Sequence, residues 1–183
     1  DDIDQDNGTY SFAVTSGVYY VRAEADGWLD QYYDGFYESQ RDQANLVTVE
    51  VGQVTGGIDF TMQAPSYVEG NVHSGAILIE NAQVEVRVLA DTNNPDQTDY
   101  VAQEDSDGDG NYSVPVPPGT NYVVVAYPED GSYYVEQWWS NALNSTQASL
   151  FDVGEGETVS DVNFDLVVGM RIVRLRSLAI TAS

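Results

Sequence analysis

One passage of this 183-residue chain is written twice. Gly8-Thr9-Tyr10-Ser11-Phe12-Ala13-Val14 returns as Gly110-Asn111-Tyr112-Ser113-Val114-Pro115-Val116. Gly17, Tyr20 and Val21 return as Gly119, Tyr122 and Val123 without a gap, and Gln31-Tyr32-Tyr33 as Gln137-Trp138-Trp139. The closing segments match as well: Gly52-Gln53 with Gly156-Glu157, and Ile58-Asp59-Phe60-Thr61-Met62 with Val162-Asn163-Phe164-Asp165-Leu166. A period of roughly 100 residues is the size of a domain and too long for a solenoid repeat. The chain is therefore expected to hold tandem modules, an organisation suited to reach, display or binding before catalysis.

The local signals are those of strands. Tyr10–Val14, Val18–Ala23, Gln83–Val88 and Tyr122–Ala126 are short, rich in β-branched or aromatic residues, and several alternate. Turn chemistry separates them at Asp6-Asn7-Gly8, Ser16-Gly17, Pro117-Pro118-Gly119 and Glu129-Asp130-Gly131. No stretch carries a convincing amphipathic helix. The fold class expected is all-β, with tandem immunoglobulin-like or prealbumin-like sandwiches. Gln63-Ala64-Pro65-Ser66 reads as the linker between them.

The two copies are unequal. The second opens with Tyr67–Val72 and Asn81–Val86, its first two strands, for which the first copy has no counterpart. Residues 1–64 thus read as a partial sandwich, short of roughly 35 residues by comparison, and 65–168 as a complete one. A sandwich without two strands exposes edges and core, which invites pairing with another chain. Either the protein extends upstream or another segment fills the gap. The tail 169–183 is one candidate, with Arg171, Arg174 and Arg176 and no acidic residue. It reads either as translated vector sequence or as a donor strand with Ile172, Val173 and Leu175 as assembly residues, which implies a homo-oligomer or filament.

The charge balance narrows the partners. Thirty acidic residues stand against six basic ones, every one of them Arg, for a net charge of -24. All 30 acids fall within residues 1–168, with only Arg22, Arg41 and Arg87 to offset them. Nucleic acid is excluded as a partner, because phosphate binding needs a basic face, and an anionic membrane surface is disfavoured for the same reason. A disordered acidic chain is a poor fit, since 42% of residues are hydrophobic and 13 Tyr, 5 Phe and 3 Trp can build a core. A calcium-rich or high-salt extracellular setting, where cations screen the carboxylates, is the better one. The absence of cysteine removes disulfides and thiolate metal sites. No signal peptide or long apolar run is visible.

The motifs resemble those of carboxypeptidase regulatory-like domains, relatives of transthyretin-like and collagen-adhesin B-type sandwiches. The residues that carry the resemblance are Gly70-x-Val72, Asn81-Ala82-x-Val84, Asp107-Gly108-Asp109-Gly110-Asn111-Tyr112-Ser113, Pro118-Gly119-Thr120-Asn121-Tyr122, and Gly156-Glu157 leading into Val162-Asn163-Phe164. The first copy matches the second half of the pattern through Asn7–Phe12, Gly27–Gly35 and Val51–Met62. The resemblance implies a seven-stranded, non-catalytic module attached to secreted enzymes and surface proteins. Some adhesin relatives form Lys–Asn cross-links, which a Lys-free chain cannot make.

Three constellations could carry chemistry. Asp105, Asp107 and Asp109, alternating with Ser106 and Gly108, have the carboxylate spacing of half a calcium loop. Position twelve of an EF-hand would be Val116 and a strand follows, so the alternatives are a hairpin turn or a structural Ca2+ site. Tyr32, Tyr33, Trp138 and Trp139 could stack on sugar rings, or pack in the core with one ring of each pair inward. Catalysis fails on inventory: His73 is the one histidine, there is no Lys, and no phosphate-binding glycine loop opens a helix. The reading is therefore a non-catalytic extracellular or cell-surface structural or adhesive module. The alternative is a carbohydrate-binding accessory module with a polysaccharide partner.

Overall fold

The computed structural model describes residues 2–4, 8–89, 97–129 and 132–169. Ile172, Val173 and Leu175 lie outside the described residues. The first copy contributes short strands: β1 (Asp2–Asp4), β2 (Thr9–Ser11), β3 (Gly17–Tyr19), β4 (Arg22–Ala23), β5 (Gln31–Tyr32) and β6 (Val47–Val49). They pair two by two, β1 with β2, β3 with β6 and β4 with β5, all antiparallel. The second copy contributes β7 (Ser66–Ser74), β8 (Ile77–Leu78), β9 (Gln83–Leu89), β10 (Thr98–Asp105), β11 (Asn111–Val116) and β12 (Gly119–Tyr127). Four short strands close it: β13 (Gln137–Trp138), β14 (Phe151–Val153), β15 (Thr158–Val159) and β16 (Phe164–Asp165).

The second copy forms two five-stranded sheets, an all-β sandwich as expected. One sheet runs β10-β9-β12, with β13 and β14 both on the far side of β12. The other is built around β7, which pairs antiparallel with β11 and β8 and parallel with β15 and β16. The alternation read from the sequence lies over the core. Val68 and Val72 of β7, Val84 and Val86 of β9, and Tyr112, Val114 and Val116 of β11 point into one buried cluster with Phe164 and Leu166. Each fully buried valine contributes about 1.5–3 kcal/mol relative to its exposed state.

β12 breaks the alternation because it is buried on both faces. Tyr122, Val124 and Ala126 face the main core, while Val123 and Val125 pack on Trp138 of β13 and on Ala142 from the loop that follows it. A continuous apolar run is what such a central strand requires. The helical elements among the described residues are two 3-10 turns, Glu38–Gln43 and Ser145–Gln147. None of the described helices is long and apolar enough to cross a membrane.

Three sequence expectations change in detail. The run Val18–Ala23 is split into β3 and β4, and Tyr10–Val14 is a strand only as far as Ser11. The ungapped match of Tyr20 to Tyr122 is also replaced. Gly17 pairs with Val49 and Tyr19 with Val47, whereas Gly119 pairs with Val153 and Tyr122 with Phe151. Tyr19 therefore holds the place of Tyr122. The extra residue in the second copy is absorbed by a bulge between Gly119 and Tyr122, where Asn121 has φ 60°.

Candidate functional site

Several bonds made within residues 65–168 have counterparts within residues 1–64. Tyr10 donates its hydroxyl to the Ile58 carbonyl, as Tyr112 does to Val162. Tyr19 donates to Thr15 O at 2.7 Å, as Tyr122 does to Pro117 O at 3.0 Å. Tyr33 N–H bonds Val21 O at 2.8 Å, as Trp139 N–H bonds Val124 O at 2.9 Å. Tyr32 bridges Phe36 as Trp138 bridges Ala142, and Gln31 and Gln137 are buried side by side with those rings.

What the first copy lacks is the cover. Val68, Val72, Val84 and Val86 close the second core, and no residue of the first copy stands in their place among the described residues. Exposure measures the result. Tyr10, Phe12 and Val14 are 37%, 48% and 44% exposed, against 5%, 0% and 0% for Tyr112, Val114 and Val116. Tyr10 stacks on Phe12 with centroids 6.0 Å apart and leans on Phe60 at 6.3 Å, so the open face is a continuous aromatic surface. Covering it returns about 25 cal/mol for each Å² of apolar area removed from water.

The face ends in an open strand edge. β12 has β9 on one side and β13 with β14 on the other. In the first copy β5 and β6 fill the second of these positions, pairing with Arg22–Ala23 and Gly17–Tyr19. The β9 side of Tyr19–Ala23 has no strand among the described residues. Val21 O accepts from Tyr33, so the backbone groups of Val21 point at β5. Strand alternation then turns those of Tyr20 and Arg22 to the open side.

Electrostatics at this edge are unbalanced. The Arg22 guanidinium lies 2.6 Å from Asp30, 2.9 Å from Glu24 and 3.8 Å from Glu38. The Asp30 hydrogen bond, above all, raises its pKa over the usual arginine value. Three carboxylates thus share one cation. On the aromatic face, partial burial, and then the nearby Asp59, push the Tyr10 hydroxyl up.

The acidic turn is used by the backbone. Asp105 closes β10, and Asp107 Oδ1 accepts from the N–H groups of Asp109 at 2.9 Å and Asn111 at 2.8 Å. Asp105 and Asp107 line a groove of about 560 Å³ with Glu69, Glu104 and Asp161, and Asp109 lies outside it. Among the described residues no three acidic or histidine side chains are arranged to hold a metal ion. Of the paired aromatic residues, Tyr32 and Trp138 are buried, while Tyr33 and Trp139 are half-buried. Trp139 meets Phe151 edge-on at 5.6 Å.

Sequence reasoning named Ser106 and Gly70 but gave neither a structural role. Buried Ser106 donates to Ile79 O at 2.7 Å and accepts from Ala82 N–H at 3.0 Å, which ties the acidic turn to the Asn81-Ala82 motif. A Cβ at Gly70 would sit 2.1 Å from Val162 O and 3.0 Å from the Tyr112 hydroxyl. The Gly70-x-Val72 motif is thus a close backbone approach. Its signal was present, as a glycine inside a strand pattern.

No protein-family profile matches the chain, and no curated protein matches it. Among solved structures, the Bacillus anthracis TIE protein is similar over 82% of this chain, with 14% identity and a TM-score of 0.40. The chain spans about a quarter of that protein's length.

Proposed function

We propose that this chain is a non-catalytic, extracellular structural or adhesive module of the carboxypeptidase regulatory-like kind, which works by joining sandwiches through the open face of its first copy. The observation that carries the reading is that Tyr10, Phe12 and Val14, equivalents of core residues, stand in solvent beside a strand edge without a partner among the described residues. Such an edge is a template for strand addition. The motif residues support a structural role, since Gly70, Ser106 and Asp107 are spent on backbone contacts. Calcium enters as a counter-ion that lets strongly acidic copies approach one another.

The test is sedimentation of the full chain over a range of concentration, with and without calcium chloride. Mass is expected to rise with concentration, more steeply with calcium, and Phe12→Asp to hold the chain monomeric. A wild-type chain that stays monomeric throughout removes the reading.

A further inference from the structure

We propose that the open edge of the first copy is filled by residues 172–178 of a second copy of this chain, added as a strand in the place that β9 holds in the second. The inference rests on the assembly reading above and names the occupant of that site.

The edge sets the pattern of its partner. β9 meets β12 from Tyr122↔Val88 to Tyr127↔Gln83. It turns Val84 and Val86 into the core and Glu85 and Arg87 away from it. Val173-Arg174-Leu175-Arg176 has the alternation of Val84-Glu85-Val86-Arg87, with Ser177 and Leu178 in the places of Val88 and Leu89. Transferring the β9 register sets Leu175 opposite Val21 and Val173 opposite Ala23, over the open aromatic face. Arg176 then lies across from Tyr20, whose exposed ring accepts a cation on its π face. Arg174 comes beside Arg22, where Glu24, Asp30 and Glu38 already outnumber the guanidinium. Charge complementarity holds more widely too: residues 1–64 carry twelve acidic side chains against Arg22 and Arg41.

Reach decides between the chain's own first copy and a neighbour's. β7 starts at Ser66, the last residue of the expected linker, and runs nine residues. Phe164 and Asp165 pair with Val72 and His73, and Leu166 N–H bonds His73 O at 2.7 Å. The chain therefore leaves at the far end of β7, roughly 25 Å from the linker at about 3.3 Å per residue. Residues 1–64 hold the linker at the near end, where Leu29 N–H bonds Gln63 O at 2.9 Å. Ile172 follows Gly169 by three residues, a span of about 10 Å at most. A segment that starts three residues beyond Gly169, at the end of β7 away from the linker, is placed to meet a first copy presented by a neighbour. The contact is head-to-tail and does not close on itself, so it propagates into filaments.

The test uses full-length chains in complementary pairs. A donor-blocked chain carries Val173→Asp with Leu175→Asp. An acceptor-blocked chain carries Tyr20→Pro, which removes the N–H at the open edge. A second acceptor block, Val21→Asp, guards against local misfolding in the first. Each variant alone is expected to stay monomeric by light scattering. A donor-blocked and an acceptor-blocked chain mixed together are expected to form a 1:1 dimer and stop there. Association of the donor-blocked chain at the wild-type level, while both acceptor blocks abolish it, overturns the tail as occupant and leaves the open-face reading standing. Association unaffected by any of the variants overturns both.

Discussion

Tyr10 donates its hydroxyl to the carbonyl of Ile58, 48 residues away, without a sheet above it. The same bond in the second copy, Tyr112 to Val162, is buried beside β7 in the core that the sheet of β9 and β12 covers. One interaction thus exists in two environments within one chain. Burial raises the Tyr112 hydroxyl well above the usual tyrosine range.

That contrast predicts unequal costs. Tyr112→Phe leaves a buried carbonyl without its donor and should destabilise the second copy by about 1–3 kcal/mol. Tyr10→Phe leaves a carbonyl that water can reach and should cost less than about 0.5 kcal/mol. Urea titrations of the two variants, followed by tryptophan fluorescence, make the comparison. Equal losses would mean that the face over Tyr10 is covered in solution.

Gly70 is required by distance and not by backbone conformation. A methyl group there meets the Val162 carbonyl at 2.1 Å, and backbone cannot step aside as a flexible side chain can. Gly70→Ala should therefore cost about 3 kcal/mol, the upper end for overpacking. For a domain of this size the melting temperature should fall by about 12 °C or more. A melting temperature within a few degrees of the wild type would show that Val162 moves freely.

High pH should weaken the second copy. Burial, chiefly, pushes the Tyr122 hydroxyl up to about 12 from its ordinary 10. The neutral form is the one favoured by folding, so its contribution is complete below pH 10 and is lost as pH rises through 12. Tyr112 shifts in the same direction for the same reason. Urea midpoints should be level from pH 7 to 9 and fall between pH 10 and 12. Tyr122→Phe should flatten part of that fall.

Trp138 tests the sugar-stacking expectation through stability. It is 8% exposed and packs on Val123, Val125 and Ala142. Trp138→Ala should cost about 3–5 kcal/mol, as large aromatic deletions do. Retention on an insoluble polysaccharide that disappears in this variant must therefore be checked against its circular dichroism. Loss of retention in a chain with native circular dichroism would restore Trp138 to a binding role.

The sequence was most legible where burial is one-sided. β7, β9 and β11 alternate because one face of each meets the core, and the eye reads period two directly. Legibility fell where two residues compete for one place. Tyr19 and Tyr20 are equally good strand residues, and only the bulge at Asn121 decides which of them matches Tyr122. Tyr32-Tyr33 and Trp138-Trp139 looked like inward and outward pairs. The outer face of β12 is itself covered by the loop that follows, so both rings find protein. The uncovered face of residues 1–64 corresponds to a missing match in the sequence, yet which edge lies open among the described residues followed only from the pairing of β3 to β6.

Asp107 separates turn chemistry from metal chemistry. Its Oδ1 accepts two backbone N–H groups, from Asp109 and Asn111, and so fixes the turn that launches β11. If that is its whole task, Asp107→Asn keeps one acceptor oxygen and should cost less than about 1 kcal/mol, while Asp107→Ala should cost about 1–2 kcal/mol. Both losses should be the same with calcium chloride as with an equal ionic strength of sodium chloride. A structural calcium site behaves differently, because a ligand that binds the folded state raises stability with its concentration. Melting temperatures over a calcium titration at fixed ionic strength decide the matter. A rise in the wild type that Asp107→Asn removes would assign the turn to calcium. A rise shared by both chains would leave calcium as a counter-ion to the acidic body.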